Sequence, residues 1–136
     1  MHPALKAIGG LDELDRVLAA SSDRPLLLFK YSATCGTSAE ALDELLAHLN
    51  ESQADATYAM VTVQTHRDVS NAVASKLGVR HETPQALLIR DGRVVWSASH
   101  FRVTAAALEG ALQEALQEAL KETQQEAINR SQPVVQ

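Results

Sequence analysis

The sequence has very few of the residues that form disulfides and aromatic cores. It contains one cysteine in 136 residues, and aromatic residues make up only 4%. A single cysteine excludes an intramolecular disulfide and a zinc site of several thiolates, so no metal is expected. Apolar residues nevertheless amount to 46%. The chain therefore has the length and composition of one domain whose core is filled mainly by alanine, leucine and valine.

Positive charge and long apolar runs are also scarce. The chain carries 12 basic and 17 acidic side chains, a net charge of −5, without a strongly basic cluster. Nucleic acid is therefore not expected as a partner. No apolar run approaches the roughly 20 residues that span a membrane, and the first ten residues lack the apolar stretch of a signal peptide. We expect a soluble, cytoplasmic protein without membrane association, in which the thiol stays reduced.

Apolar spacing predicts alternating helices and strands. The third helix should begin near the cap candidates Asp68 and Ser70 and end at Gly78. Asp91-Gly92 between two apolar runs is a strong signal for a β-hairpin. The other predicted helices before the hairpin cover about residues 11–20 and 36–50, and the short third helix is marked by Ala72, Val73, Ala74 and Leu77. The predicted strands lie near 26–29, 58–63, 86–90 and 93–97.

This order of elements indicates an α/β fold. The first two strands are joined by a helix and should be parallel, with a right-handed crossover. The hairpin adds two antiparallel strands. The pattern therefore predicts a four-stranded mixed sheet with helices on both faces.

Strong helix formers fill the end of the chain, after a possible cap at Thr104. Leucines recur there every four residues, which predicts one long helix over 105 to about 128. Its first turns should pack on the sheet, and its later turns should be exposed or pair with a second chain, giving a homodimer. The leucines of the first turns are Leu108 and Leu112, and those of the later turns are Leu116 and Leu120.

The same change in composition suggests a domain boundary. We assign residues 1–113 to the α/β domain and residues 114–136 to a helical extension. From about residue 131 the chain is expected to be disordered.

Cys35 is the first candidate for chemistry, because it follows a predicted buried strand and precedes a predicted helix. The free N–H groups and the dipole of a helix start favour a thiolate, which is the nucleophilic form. The alternative is a buried thiol that serves as a small apolar residue. The neighbours of Cys35 are small or polar, which favours the reactive thiol.

Cys35 also begins a C-x-x-S motif, Cys35-Gly36-Thr37-Ser38. In a C-x-x-C redox motif the second cysteine resolves a mixed disulfide. A serine hydroxyl cannot form a disulfide, so this motif has no resolving thiol. The motif is weak alone and stronger at a junction between a strand and a helix.

Several separated motifs together resemble the monothiol bacilliredoxins of the YtxJ type, over about residues 10–110. The resemblance lies in FKYSATCGTS (29–38), RDVSN (67–71), RHETPQ (80–85), DGRVVW (91–96) and SHF (99–101). It implies a thioredoxin-like fold. It also implies removal of the small thiol bacillithiol from mixed disulfides of client proteins. Bacillithiol or a similar thiol would be the co-substrate, with no further cofactor.

The resemblance also assigns roles to individual residues. Cys35 corresponds to the redox cysteine and Pro84 to a cis-proline opposite it, where the backbone of Thr83 would pair with bound substrate. From the sequence alone, a trans-proline at a strand start is the ordinary alternative. Gly36 departs from the family, which usually has proline there, and it should loosen the first helical turn.

Other polar residues near these motifs are weaker candidates for substrate binding. Lys30 could favour the thiolate or hold a carboxylate of the small thiol, and the alternative is a solvated lysine. His81 and Glu82 flank the proline turn and His100 ends a strand, so they could line a groove or be solvated. Trp96 and Phe101 are interpreted as core residues and not as a stacking platform.

Two other functions stay open at this point. A thioredoxin-like module could bind a peptide without catalysis and use Cys35 as a redox sensor. Peroxidase chemistry through a sulfenic acid on Cys35 is a third possibility, although no peroxidase signature is present.

Overall fold

The computed structural model describes residues 1–132, and one five-stranded mixed sheet organises them. The strands are β1 (Leu5–Ala7), β2 (Leu26–Tyr31), β3 (Thr57–Thr62), β4 (Gln85–Arg90) and β5 (Arg93–Ser99). The helices are α1 (Leu11–Ala20), α2 (Gly36–Glu51), α3 (Arg67–Leu77) and α4 (Ala105–Ser131), and a short 3₁₀ turn spans His100–Arg102.

The central strand β2 explains the unbroken apolar run in the sequence. The order of the sheet is β1-β3-β2-β4-β5, with β2 parallel to β3 and antiparallel to β4. Successive side chains of a strand point to opposite faces. Leu27 and Phe29 pack with residues of α2 and α4, whereas Leu26 and Leu28 pack with residues of α1 and α3. Both faces are covered, which explains the apolar side chains at positions 26–29.

The predicted four-stranded sheet has a fifth strand, β1, which pairs in parallel with β3 at the edge. Three residues are too few to show a strand period, which is why the sequence did not indicate it. The third helix begins near Asp68, as predicted, with Arg67 as its first residue. The cap candidates Asp68 and Ser70 were wrong, because His66 is the cap and both candidates lie inside the helix, with Ser70 fully buried.

The hairpin turn and the helix ends indicated by Gly78 and Thr104 were confirmed. Asp91 and Gly92 have φ angles of 51° and 73°, as a tight hairpin turn requires. Gly78 ends α3 with φ at 64°, the left-handed conformation that glycine adopts most easily. The side chain of Thr104 accepts a hydrogen bond of 3.1 Å from the Ala107 N–H and caps α4.

The long final helix is present and changes its surroundings along its length. Leu108 and Leu112 are buried on the sheet, Leu116 is half-buried and Leu120 is 59% exposed. The helix continues to Ser131, so the predicted disordered end falls mainly on 133–136, which lie outside the described residues. Among the described residues, none of the helices is long and apolar enough to cross a membrane.

A buried histidine joins α4 to the rest of the fold. His48 Nε2 lies 2.9 Å from the hydroxyl of Tyr58, and His48 Nδ1 lies 3.1 Å from Glu109 Oε2. The contact between His48 and Glu109 has the distance of an ion pair. It is not aligned as a hydrogen bond, and Glu109 Oε2 has no hydrogen-bond partner among the described residues. Burial lowers the pKa of His48, and the charge of Glu109 opposes this effect.

Candidate functional site: a half-exposed thiol at the start of a helix

Cys35 lies immediately before the first residue of α2, as its cap, and its side chain is half-exposed. Its backbone is extended, with φ −110° and ψ 121°. The carbonyl of Cys35 accepts a hydrogen bond of 3.2 Å from the Ala39 N–H and so begins the helical ladder. The thiol is therefore held at a fixed point where β2 ends and α2 begins.

The first turn of α2 acts on the sulfur. The side chain of Cys35 does not accept a capping hydrogen bond with the usual distance and angle. The N–H groups of Ser38 and Thr37 nevertheless face the sulfur and lower the pKa of the thiol, with weaker help from their hydroxyls and against the effect of desolvation. A thiolate at this position is stabilised by the helix start, as the sequence predicted.

Ser38 has a structural role in addition to its place in the motif. Its side chain is fully buried, and its hydroxyl accepts a hydrogen bond of 3.2 Å from the Ser32 N–H. Gly36 and Thr37 are exposed and half-exposed on the same turn. The position of the missing resolving thiol is thus filled by a group that holds the preceding loop.

Gln64 is a site residue that the sequence reasoning missed. It lies two residues after the end of β3, and its amide holds the loop before Cys35 through three hydrogen bonds. The amide oxygen accepts a hydrogen bond of 3.1 Å from the Ala33 N–H. The amide nitrogen donates to the hydroxyls of Ser32, at 2.6 Å, and Thr34, at 3.2 Å. The carboxyl ends of β2 and β3 lie at the same edge of the sheet, and this rule could have indicated a polar partner for the loop.

The proline loop reaches the same end of the sheet. The Thr83–Pro84 peptide bond is cis. Lys30 of β2 pairs with Gln85 of β4, so Pro84 comes next to the end of β2 from which the chain continues to Cys35. Pro84 is buried and its carbonyl accepts a hydrogen bond of 3.0 Å from the His100 N–H. Within residues 1–132, Thr83 makes no backbone hydrogen bond.

His100 and Phe101 face the first turns of α2 across a groove of about 280 Å³. Thr37 and Glu40 line the opposite side of this groove. Phe101 is 76% exposed, so its interpretation as a core residue was wrong. A sequence pattern cannot separate an aromatic residue in a 3₁₀ turn from one in the core, because three residues show no periodicity.

Lys30 and His81 meet each other, although 51 positions separate them in the sequence. Lys30 Nζ lies 2.8 Å from His81 Nδ1. The side chain of Lys30 is fully buried, so the alternative of a solvated lysine is excluded. Burial lowers the pKa of Lys30. His81 is exposed and Glu82 is half-buried beside it.

The structure thus brings most of the predicted site residues to one end of the sheet. The thiol turn (35–38), the proline loop (81–84) and His100 surround the carboxyl end of β2. These positions agree with the predicted roles, and the roles themselves stay predictions.

Such a thiol at a helix start, beside a cis-proline loop on this sheet, defines a thioredoxin-fold protein with a single cysteine. Solved structures show the same fold. A protein described as an oxidoreductase with a thioredoxin fold is 30% identical, with 79% of this chain and 93% of that chain covered and a TM-score of 0.71. A mutant thioredoxin from Halobacterium salinarum is 28% identical, with coverages of 84% and 93% and a TM-score of 0.62. Thioredoxin O2 from Arabidopsis thaliana, at 17% identity, covers 84% and 96% with a TM-score of 0.66.

The particular family follows from the sequence motifs around this site. Residues 6–108 match the model of the monothiol bacilliredoxin BrxC. The match covers most of the chain, and the chain belongs to this family. The prediction of a thioredoxin-like fold is therefore confirmed, and membership supports a thiol-redox function.

Proposed function

We propose that this protein is a monothiol thiol–disulfide oxidoreductase that removes bacillithiol from mixed disulfides of client proteins. The Cys35 thiolate attacks the sulfur of the small thiol. The bond between the small thiol and the client breaks, and a new disulfide joins Cys35 to the small thiol. The client leaves as a thiolate and takes up a proton, so the client is reduced while Cys35 is oxidised.

The observation that carries the proposal is the environment of the Cys35 sulfur. It is half-exposed, and the N–H groups of Thr37 and Ser38 lower its pKa. A nucleophilic cysteine must be accessible and largely deprotonated near neutral pH, whereas a structural cysteine is buried and inert. The adjacent proline loop, with the unpaired backbone of Thr83, supports a place for an extended substrate.

The chain contains one cysteine, so the enzyme cannot release the captured thiol as an internal disulfide. A second thiol, free or on another redoxin, must attack the Cys35 adduct and restore the thiolate. We place this cycle in the cytoplasm, where such thiols are kept reduced. The clients are proteins that carry the small thiol on an accessible cysteine.

The test is one turnover followed by mass spectrometry. A protein carrying bacillithiol on a single cysteine is mixed with an equal amount of this chain. We expect the adduct to move to Cys35 and to stay there until an external thiol is added. Cys35→Ser is the control and should not accept the adduct, because a hydroxyl is not a competent nucleophile without a base.

The contrary result would favour the binding module. If the client keeps its bacillithiol while binding to both the parent chain and Cys35→Ser, the protein recognises clients without exchanging thiols. An adduct that appears on Cys35 and cannot be removed by external thiol would also contradict a catalytic cycle.

A further inference from the structure

A buried cation lies beneath the proline loop, on the side of the sheet opposite α2. Lys30 follows Leu28 on the face covered by α1 and α3, because strand side chains alternate. Its side chain is 0% exposed. Within residues 1–132, no carboxylate forms an ion pair with it. Burying a charge without a counter-charge is costly, so this arrangement indicates a specific role for the ammonium group.

The contact of Lys30 with His81 fixes the state of the histidine ring. Lys30 Nζ lies 2.8 Å from His81 Nδ1. A protonated Lys30 donates this hydrogen bond to Nδ1, because an ammonium group has only donors. The ring proton then sits on Nε2. Burial, followed by the charges of Lys30 and Arg67, lowers the pKa of His81, which favours this neutral ring. An exposed histidine is thus held with one N–H donor directed away from Lys30.

A second buried polar residue holds the same loop. Gln85 is opposite Lys30 in the neighbouring strand and is 4% exposed. Its amide donates a hydrogen bond of 3.0 Å to the carbonyl of Arg80. Two adjacent buried side chains therefore hold two successive loop residues. His81, three positions before Pro84, is fixed relative to the proline loop.

Arg67 adds a second positive charge to this cluster. It is exposed and is the first residue of α3, which starts shortly after the end of β3, the strand that pairs with β2 up to Tyr31. Its charge also lowers the pKa of His81. Asp68 and Glu82 are the acidic neighbours of Arg67 and His81 in the sequence. Neither forms an ion pair with the cluster within residues 1–132. The guanidinium of Arg67 and the Nε2–H of His81 are donors suited to a carboxylate.

We propose that Arg67 and His81 bind a carboxylate of the small thiol, and that Lys30 is a positioning residue that fixes His81. This inference rests on the proposed function and names the substrate class, a low-molecular-weight thiol that carries a carboxylate. The subsite would also decide the direction of the exchange. A small thiol held by its carboxylate presents its own sulfur to Cys35, so the client becomes the leaving group.

The test compares two probes that differ in charge. One peptide with a single cysteine carries either 3-mercaptopropionate or 2-mercaptoethanol as a mixed disulfide, and its release is followed with external thiol present. Arg67→Gln should lower kcat/KM about tenfold for the carboxylate probe and leave the neutral probe within about twofold. Lys30→Met should act in the same direction. Lys76→Gln, a charge removal at the other end of α3, is the matched control and should change neither rate.

The two proposals fail in different ways. If neither probe transfers to Cys35, the proposed oxidoreductase function is wrong. If both probes react and Arg67→Gln or Lys30→Met lowers both rates equally, the cluster only supports the loop and the carboxylate subsite is wrong. Equal rates for the two probes with the parent chain would overturn it as well.

A binding measurement makes the subsite testable without turnover. Titration with 3-(methylthio)propionate, which cannot exchange, should shift the ring resonances of His81 in the parent chain. The shift should be lost in Arg67→Gln, a surface change that leaves the core intact. If the resonances of His81 do not move in the parent chain, the subsite is wrong even where thiol transfer proceeds.

Discussion

The first turn of α2 can be tested by replacing Gly36 with proline, the residue that the family motif usually has there. Three features of the structure favour this change. Gly36 is the first residue of the helix, where proline is well tolerated. Cys35 has φ −110° and ψ 121°, the extended conformation that a residue before proline adopts. A Cβ at position 36 would meet no other part of the chain within 4 Å.

The expected gain comes mainly from the unfolded chain. Proline restricts the unfolded backbone, and at a compatible site this stabilises a protein by about 0.4–1 kcal/mol. The Gly36 N–H makes no hydrogen bond in the part of the chain that the structure describes, so none is lost. A domain of this size should then gain about 2–4 °C in Tm. Gly36→Ala should also stabilise, by roughly 0.5–1 kcal/mol.

Urea unfolding of the parent chain, Gly36→Ala and Gly36→Pro measures these differences. The thiol pKa should stay lowered in both variants, because the N–H groups that act on Cys35 belong to Thr37 and Ser38. A Gly36→Pro variant that is less stable than the parent, beside a stabilised Gly36→Ala, would refute the reasoning. It would show that the N–H of residue 36 is needed or that Cys35 is not extended.

Three further predictions concern the thiol, the buried histidine and the last helix. Thiolate absorbance should titrate with a midpoint below the reference pKa of about 8.5 for cysteine, and a midpoint at or above it would indicate an inert thiol. The free energy of unfolding should fall as pH drops below about 6.5, because the lowered pKa of His48 means that the unfolded chain binds a proton more readily. The free energy of unfolding of His48→Gln should fall less as pH drops below about 6.5. An equal dependence on pH in the parent chain and the variant would show that His48 is not the group responsible. Truncation after Gln113 should leave the fold intact, cost about 1–2 kcal/mol through the loss of buried Ala115 and of the Arg90–Glu122 ion pair, and change self-association in sedimentation. An unfolded product would show that the removed turns belong to the core.

The parts of the fold that could be predicted are those with a local signal. The β2 run, the Asp91-Gly92 turn and the Thr104 cap each depend on a few neighbouring residues. β1 could not be predicted, because its stability comes from pairing with β3 and not from its own three residues. The cap of α3 was assigned wrongly because Ser70 looks like a cap, whereas the fold buries it inside the helix.

The site divides in the same way. Cys35 could be predicted from its position between a strand and a helix. Pro84 needed the family resemblance, since base rates favour a trans bond. The burial of Lys30 could not be predicted, because lysine is rarely buried and its partner, His81, lies 51 residues away. Gln64 was missed because its partners lie in the loop at 32–34, about 30 residues away in the sequence, and a loop has no periodic pattern.

Buried polar side chains near the thiol fix the loops that form this site. Ser38, Lys30 and Gln85 are each buried, and each hydrogen-bonds to a loop residue. Such a bond contributes only about 0.5–1.5 kcal/mol, but leaving a buried group unpaired costs about 1–3 kcal/mol. Each loop therefore has one conformation in which these hydrogen bonds form, and movement away from it is penalised. The geometry offered to a substrate is set in part by side chains that need not touch it, so substitutions of Lys30 and Gln85 should change selectivity between thiols more than they change the reactivity of Cys35.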